Sequence, residues 1–199
     1  MNPIFLFPTV LGQFQLNDKV KLQEIIDSVK TFAKKKTRNK DAILWQSEGA
    51  VQHQEEFKWL TDCIVRHGEE YMKFMGYEFN TIQVESMWIN TYEENDNLHI
   101  HNHPNSFISG VFYLTDGADI QFLDPRGDIR SIILPNKVHN FHNAFSFDIS
   151  PSPGKLILFP SWLKHSVYRQ HSGWRASIAF NMMVRGSVGS NTDLTNMTY

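Results

Sequence analysis

The stretch Thr81-Ile82-Gln83-Val84-Glu85-Ser86-Met87-Trp88-Ile89-Asn90-Thr91-Tyr92 decides the fold class, because the texture of the chain changes where it begins. Up to Gly76 the apolar residues recur at helical spacing. From here on the chain breaks into short runs rich in β-branched and aromatic residues, separated by Gly, Pro, Asn and Asp. Such side chains pack well on a pleated surface and the separators suit turns, so residues 81–92, 106–115, 119–124, 129–134, 155–160, 164–169 and 174–183 are expected to be strands.

Upstream, residues 3–16 read as an extended entry segment, after which Asn17 or Asp18 can cap a helix. Val20, Leu22, Ile25, Ile26, Val29, Phe32 and Ala33 carry that helix toward the basic run Lys34-Lys35-Lys36-Thr37-Arg38-Asn39-Lys40, read as its solvated end, where cations suit the helix dipole. Residues 39–53 read as loop. Phe57, Leu60, Ile64, Val65, Tyr71 and Phe74 mark a second helix from about Gln54 to Met75, stopped by Gly76. Regular short strands after two helices predict a mainly antiparallel β sandwich or barrel with helices on one face. The residues from Gly186 to Tyr199, rich in Gly, Ser, Asn and Thr, read as a loosely held tail.

The composition fits this picture and excludes others. A chain of 199 residues can bury one sizeable core, and 15 Phe, 5 Trp and 6 Tyr suit a β-rich one. A net charge of −2 gives no general attraction to nucleic acid or to an anionic membrane surface. Cys63 is the single cysteine, so no internal disulfide can form and a reducing compartment, the cytoplasm, is expected. It falls in an apolar-periodic stretch and is expected to be buried and inert. No apolar run is long enough to span a bilayer.

Chemistry enters with the histidines. Leu98-His99-Ile100-His101-Asn102-His103-Pro104 places three at alternating positions. If the segment is extended, all three point to one face, and two imidazoles from i and i+2 can reach one metal ion. Imidazole suits Fe, Zn, Cu and Ni, so spacing alone does not choose the metal. A further histidine, His165, follows an apolar strand and a turn in Leu158-Phe159-Pro160-Ser161-Trp162-Leu163-Lys164-His165, and Arg175-Ala176-Ser177 comes ten residues later.

That order resembles the 2-oxoglutarate/Fe(II)-dependent oxygenase superfamily, whose pattern is His-x-Asp/Glu, a distal His, then Arg-x-Ser about ten residues on. In particular the chain is similar to a prolyl-hydroxylase-like branch, common in phage and marine bacterial genomes, with the signature H-x-H-P-x-S-x-x-S-G-V-x-Y-L. Here that reads His101-Asn102-His103-Pro104-Asn105-Ser106-Phe107-Ile108-Ser109-Gly110-Val111-Phe112-Tyr113-Leu114. Phe122-Leu123-Asp124-Pro125-Arg126, Pro153-Gly154-Lys155-Leu156-Ile157-Leu158-Phe159-Pro160 and Arg175-Ala176-Ser177-Ile178-Ala179-Phe180-Asn181 extend the match over roughly residues 80–183.

The resemblance implies a double-stranded β-helix (jelly roll) with two supporting N-terminal helices. It implies one domain over residues 1–199, with helical support at about 17–76 and the jelly-roll core at about 80–185. It implies Fe(II) held by His101, His103 and His165, with His103 standing where relatives carry a carboxylate; His99 on the same face remains an alternative ligand, and the nearby Asp124 an alternative ligand or an acceptor for the N–H of a ligating histidine. 2-Oxoglutarate is the implied co-substrate, its distal carboxylate taken by Arg175 and Ser177, with Tyr113 and Asn90 assisting. With O₂, such an enzyme hydroxylates a C–H bond of a small-molecule or peptide substrate and releases succinate and CO₂. A homodimer is compatible with this reading, and nucleic acid and membrane are disfavoured. Two rivals stand beside it: a cupin-like three-histidine dioxygenase that ignores 2-oxoglutarate, and a jelly roll that binds metal without catalysis.

Asp124-Pro125-Arg126-Gly127 reads first as a turn. Trp162 and Trp174 read as core or pocket wall shielding the iron. His139, His142 and His171 fall in polar loops, and His53 and His67 belong with the helices, so these five read as solvated or structural.

Overall fold

Alternation along the long strands organises the molecule. In the computed structural model, which describes residues 1–34, 44–127, 134–189 and 196–198, β1 (Gly12–Gln15) leads into α1 (Lys19–Lys34) and a short β2 (Trp45–Gln46). Two single-turn 3₁₀ segments, Val51–His53 and Glu55–Phe57, open α2 (Lys58–Phe74). Then follow β3 (Thr81–Tyr92), β4 (Leu98–His101), β5 (Ile108–Tyr113), β6 (Ile120–Leu123), β7 (Ser146–Ile149), β8 (Lys155–Pro160), β9 (His165–Val167) and β10 (Arg175–Arg185). A ribbon of β11 (Ser187–Val188) and β12 (Met197–Thr198) closes the described chain.

The strands form a six-stranded sheet in the order β1-β8-β5-β10-β3-β2 and a four-stranded sheet in the order β4-β9-β6-β7. Every pairing is antiparallel, most of them between strands distant in sequence. The period of two then divides each central strand between two cores. On β5, Ile108 and Phe112 join the core under the helices, whereas Val111 and Tyr113 join the core between the sheets. On β8, Leu156 and Leu158 take the first side and Ile157 and Phe159 the second. These strands are buried on both faces, which explains why they read as continuous apolar runs.

The helices cover the outer face of the large sheet. Asp18 caps α1 as expected, its Oδ1 accepting the Lys21 N–H at 3.0 Å. Ile25 and Val29 of α1 and Leu60 and Ile64 of α2 are fully buried, each pair one helical turn apart. They pack into the same cluster as Ile178 and Phe180 of β10. Burial of each such side chain contributes about 1.5–3 kcal/mol. Truncating Phe180, 0 % exposed at the centre of this cluster, costs about 3–5 kcal/mol.

Some expectations need correcting or fall elsewhere. β7 forms from Ser146-Phe147-Asp148-Ile149 by pairing with β6; it is an edge strand, half polar and lacking the apolar run that marks the others. β2, in what reads as loop, is a strand only because Trp45 and Gln46 pair with Thr91 and Asn90. Of the 129–134 segment, residues 129–133 lie outside the described residues, as does the basic run beyond Lys34. Trp162 is 54 % exposed and Trp174 packs against the helix-side core, so neither walls the pocket described below. No helix among the described residues is long and apolar enough to cross a membrane.

Candidate metal centre and co-substrate pocket

The same alternation that sends Ala176, Ile178 and Phe180 toward the helices turns Arg175, Ser177, Ala179 and Asn181 to the inner face of β10. Strand register builds the site in rows across three strands. Arg175 lies opposite Tyr92; Ser177 is flanked by Asn90 and Tyr113; Ala179 by Trp88 and Val111; Asn181 by Ser86 and Ser109. Directly opposed residues point to the same face, so these rows, except Ser86 and Ser109, line one wall of a cavity of about 470 Å³. Arg175 and Asn181, six residues apart, mark its two ends, about 20 Å of strand.

β4 and β9 of the smaller sheet supply the facing histidines. Leu98 pairs with Val167 and His101 with His165, so three residue steps on β4 match two on β9. The extra residue is a β-bulge, which breaks strict alternation and turns both Leu98 and His101 into the cavity. His99 and Ile100 inside the bulge are exposed. The expectation that His99 shares a face with His101 is therefore corrected: the slip in register turns it away. His103, just past the end of β4, is held by its backbone N–H bonding the Ser161 carbonyl at 2.9 Å.

His101, His103 and His165 consequently converge. Their ligand atoms lie within 4.8 Å of one another, and they are the only such group of three among the described residues. Ring centroids are 5.3 Å apart for His101–His103, 4.2 Å for His101–His165 and 5.1 Å for His103–His165. Asp124 is not in the group. Its carboxylate accepts the backbone N–H of Arg126 at 3.0 Å and pairs with the Arg126 guanidinium, closing the turn; the alternative of Asp124 as a ligand is corrected accordingly.

The chemistry of the three rings suits a cation. Nδ1 of His101 lies 2.8 Å from the His99 carbonyl and Nδ1 of His165 lies 2.9 Å from the Leu163 carbonyl. A carbonyl oxygen can only accept, so each Nδ1 carries the proton and each Nε2 lone pair is free. Burial holds His165 far below the usual histidine range, at about 3, and the two neighbouring histidines push the same way. Burial also lowers His103, against the raising effect of its bond to Asn181. Neutral imidazoles are the form that binds a metal, and three of them form a donor set that Fe, Zn, Cu or Ni can accept.

At the opposite end sits Arg175, 1 % exposed. Its Nε–H bonds the Ala118 carbonyl at 3.2 Å, while Nη1 is buried with no hydrogen-bond partner. The guanidinium lies 4.3 Å from the Tyr92 ring centroid and 5.5 Å from that of Tyr113. The Tyr113 hydroxyl is likewise buried and unpartnered, and burial pushes its pKa up, with Arg175 opposing, so it is a protonated donor. Ser177, 1 % exposed, and Asn90, 4 % exposed, complete the row; the Asn90 side chain accepts from Gln46 Nε2 at 2.8 Å. Two orphaned buried donors facing one cavity are a standing demand for an acceptor. A carboxylate answers it, because a guanidinium fork binds one bidentately. Among the described residues no Asp or Glu lines the cavity, and Arg175 is the one permanently charged side chain there.

Of the residues singled out in the sequence, His101, His103, His165, Arg175, Ser177, Tyr113 and Asn90 thus line one cavity, and His99 and Asp124 do not. Sequence reasoning missed Tyr92, whose ring supports Arg175, and Asn181, which meets His103. It also missed Trp88, its ring 5.6 Å from that of His103. The period-two positions of residues 88, 90 and 92 on one strand would have found two of them.

Comparison with known proteins agrees with this geometry. Residues 86–181 match the family described as "Putative 2OG-Fe(II) oxygenase". Among curated protein sequences none matches the chain. Among solved structures, a Pseudomonas putida prolyl-4-hydroxylase matches with a TM-score of 0.61 and 14 % identity, over 89 % of this chain and 94 % of that one. HygX from Streptomyces hygroscopicus, solved with nickel and 2-oxoglutarate bound, gives 0.63 and 10 %, over 87 % and 82 %. The viral collagen prolyl hydroxylase of Paramecium Bursaria Chlorella virus-1, in its 2OG complex, gives 0.55 and 14 %, over 86 % and 94 %. At such identities these likenesses establish the jelly-roll fold, and the family match covers the stretch that carries the cavity: over residues 86–181 the chain is similar to the 2-oxoglutarate/Fe(II)-dependent oxygenases.

Proposed function

We propose that the protein hydroxylates a C–H bond of a small-molecule or peptide substrate at a centre held by His101, His103 and His165. The observation that carries this reading is the buried Arg175 with its unpartnered Nη1, beside the unpartnered Tyr113 hydroxyl, in the cavity that ends at the three histidines. Arg175, Tyr113 and Ser177 bind the distal carboxylate of 2-oxoglutarate, and the Tyr92 ring keeps the guanidinium in place. Asn90, held by Gln46, borders the co-substrate. Each histidine offers Nε2 to Fe(II). The chemistry supplied at that centre is oxidative: O₂ and 2-oxoglutarate are consumed, one oxygen atom enters the substrate C–H bond, and succinate and CO₂ leave. Gln46, Ser47, Trp88 and Asn102 line the remaining wall and receive the substrate. Trp88 covers the His103 side and excludes water from it. We read the whole chain as one such domain; the buried, unpaired Cys63 fits a reducing compartment such as the cytoplasm.

Anaerobic titration of the Fe(II)-loaded protein with 2-oxoglutarate tests this. A metal-to-ligand charge-transfer band should grow to saturation, and O₂ should then yield succinate even without substrate. The Arg175→Met variant should need far more 2-oxoglutarate to reach the same band. A flat titration with iron fully loaded would instead favour a three-histidine dioxygenase that binds its substrate directly.

A further inference from the structure

We propose that Asn181 is a positioning residue that makes His103 the third ligand, by accepting a hydrogen bond from Nδ1–H and so leaving Nε2 to the metal; this rests on the three-histidine reading above. An imidazole ligates only in the right tautomer, and the partner of its other nitrogen sets that tautomer. For His101 and His165 the partner is a backbone carbonyl only two residues away. His103 instead has the side chain of Asn181, 78 positions distant, with Nδ1 and Oδ1 2.5 Å apart.

The amide is held from both sides. Its Nδ2 donates to Ser86 Oγ at 3.1 Å, and its Oδ1 accepts from Ser109 Oγ at 2.8 Å. Ser161 Oγ lies 2.8 Å from Ser109 Oγ, to which it can donate, and 3.0 Å from Ser106 Oγ. Ser106 in turn donates to the Ile108 and Met182 carbonyls. Ser109 and Ser161 are 0 % and 1 % exposed. A run of buried hydroxyls costs stability unless each is satisfied, and this one ends on the amide that faces His103. Asn181 also stands where β10 slips register against β3, a feature that re-aims side chains. The amide turned the other way would set Nδ2 against the imidazole, leave the proton on Nε2 and block the ligand atom. A carboxylate at position 103 would need no such partner.

The test uses Co(II), added to the metal-free full-length protein without co-substrate, and long-range ¹H–¹⁵N spectra of the histidine rings. Wild-type His103 should show Nδ1–H. Asn181→Leu should bind Co(II) about 10- to 100-fold more weakly, and its visible d–d bands at saturation should differ because one imidazole is lost. Asn181→Asp, nearly the same shape and still an acceptor, should bind at least as tightly as wild type. A merely structural asparagine would lower the melting temperature of Asn181→Leu yet leave the bands of the folded fraction unchanged. That result, or a wild-type His103 protonated on Nε2, overturns the inference and leaves the metal centre standing. Wild-type protein that takes up no Co(II) overturns both. Should Asn181→Leu not fold, the ring spectrum and the Asn181→Asp titration still decide.

Discussion

Gly117 leaves the space that the Arg175 side chain occupies. A Cβ on Gly117 would stand 2.9 Å from Arg175 Cδ and 3.0 Å from Cγ, and the glycine has φ +143°, where other residues are strained. The proposed anchor for the co-substrate is therefore seated by a loop residue outside β10. Gly117→Ala should push the guanidinium off its seat over Tyr92 and weaken 2-oxoglutarate binding about tenfold or more, with a smaller effect on metal binding. Calorimetric titration of metal-loaded protein with 2-oxoglutarate checks this; unchanged affinity would mean that Arg175 is held by other contacts.

Arg175 itself invites a prediction in which stability and binding part company. A buried cation with an unpartnered Nη1 is expensive in the empty protein, although the Tyr92 and Tyr113 rings offset part of that. Arg175→Met should leave the melting temperature of the co-substrate-free protein unchanged or raised. It should weaken 2-oxoglutarate binding by about 30-fold or more, since truncating one partner of a buried charge pair costs about 2 kcal/mol or more. A variant that unfolds would instead make Arg175 a structural residue.

The sequence made the helices and most strands legible because their periods are set by burial. Ile25 and Val29 recur at a helical turn, and Val111 and Tyr113 alternate with Ile108 and Phe112 between two cores. It did not reveal β2 and β7, whose existence depends on a neighbouring strand and not on their own residues. The residues of the site were legible through the resemblance of their motifs to a known family, but their rows were not. That Tyr92 supports Arg175, or that Asn181 meets His103, follows from the pairing of β10 with β3 and β5, a long-range property.

His99 shows the same limit at one residue. Regular alternation would set it beside His101, and the bulge between Leu98 and His101 sends it to the surface instead. His99→Ala should therefore keep Co(II) affinity within about twofold of wild type, because a surface substitution far from any buried partner changes little. His165→Ala, which removes a buried ligand atom, should abolish tight binding. Equal losses in the two variants, read by Co(II) absorbance, would put His99 into the metal centre and the bulge in error.

The buried imidazoles also set how the metal-free protein responds to acid. His165 is held at about 3 by burial, whereas an unfolded histidine titrates near its ordinary value. In that window the unfolded chain binds a proton that the folded chain does not, so stability rises with pH. The contribution is fully present above about pH 6.5 and is lost progressively as pH falls toward 3; His103, lowered in the same direction by burial, adds to it. At pH 5 the loss from one such histidine is about 2 kcal/mol, from 1.4 kcal/mol per pH unit below the unfolded value. Thermal unfolding of metal-free protein between pH 5 and 7.5 should show this slope, and His165→Asn should flatten it by about one histidine's share. Bound metal should deepen it, because protons then compete with the cation for the same lone pairs. A pH profile identical in wild type and His165→Asn would mean that His165 is protonated in the folded protein, which its burial and the two neighbouring imidazoles argue against, although the Leu163 carbonyl at Nδ1 favours the protonated ring.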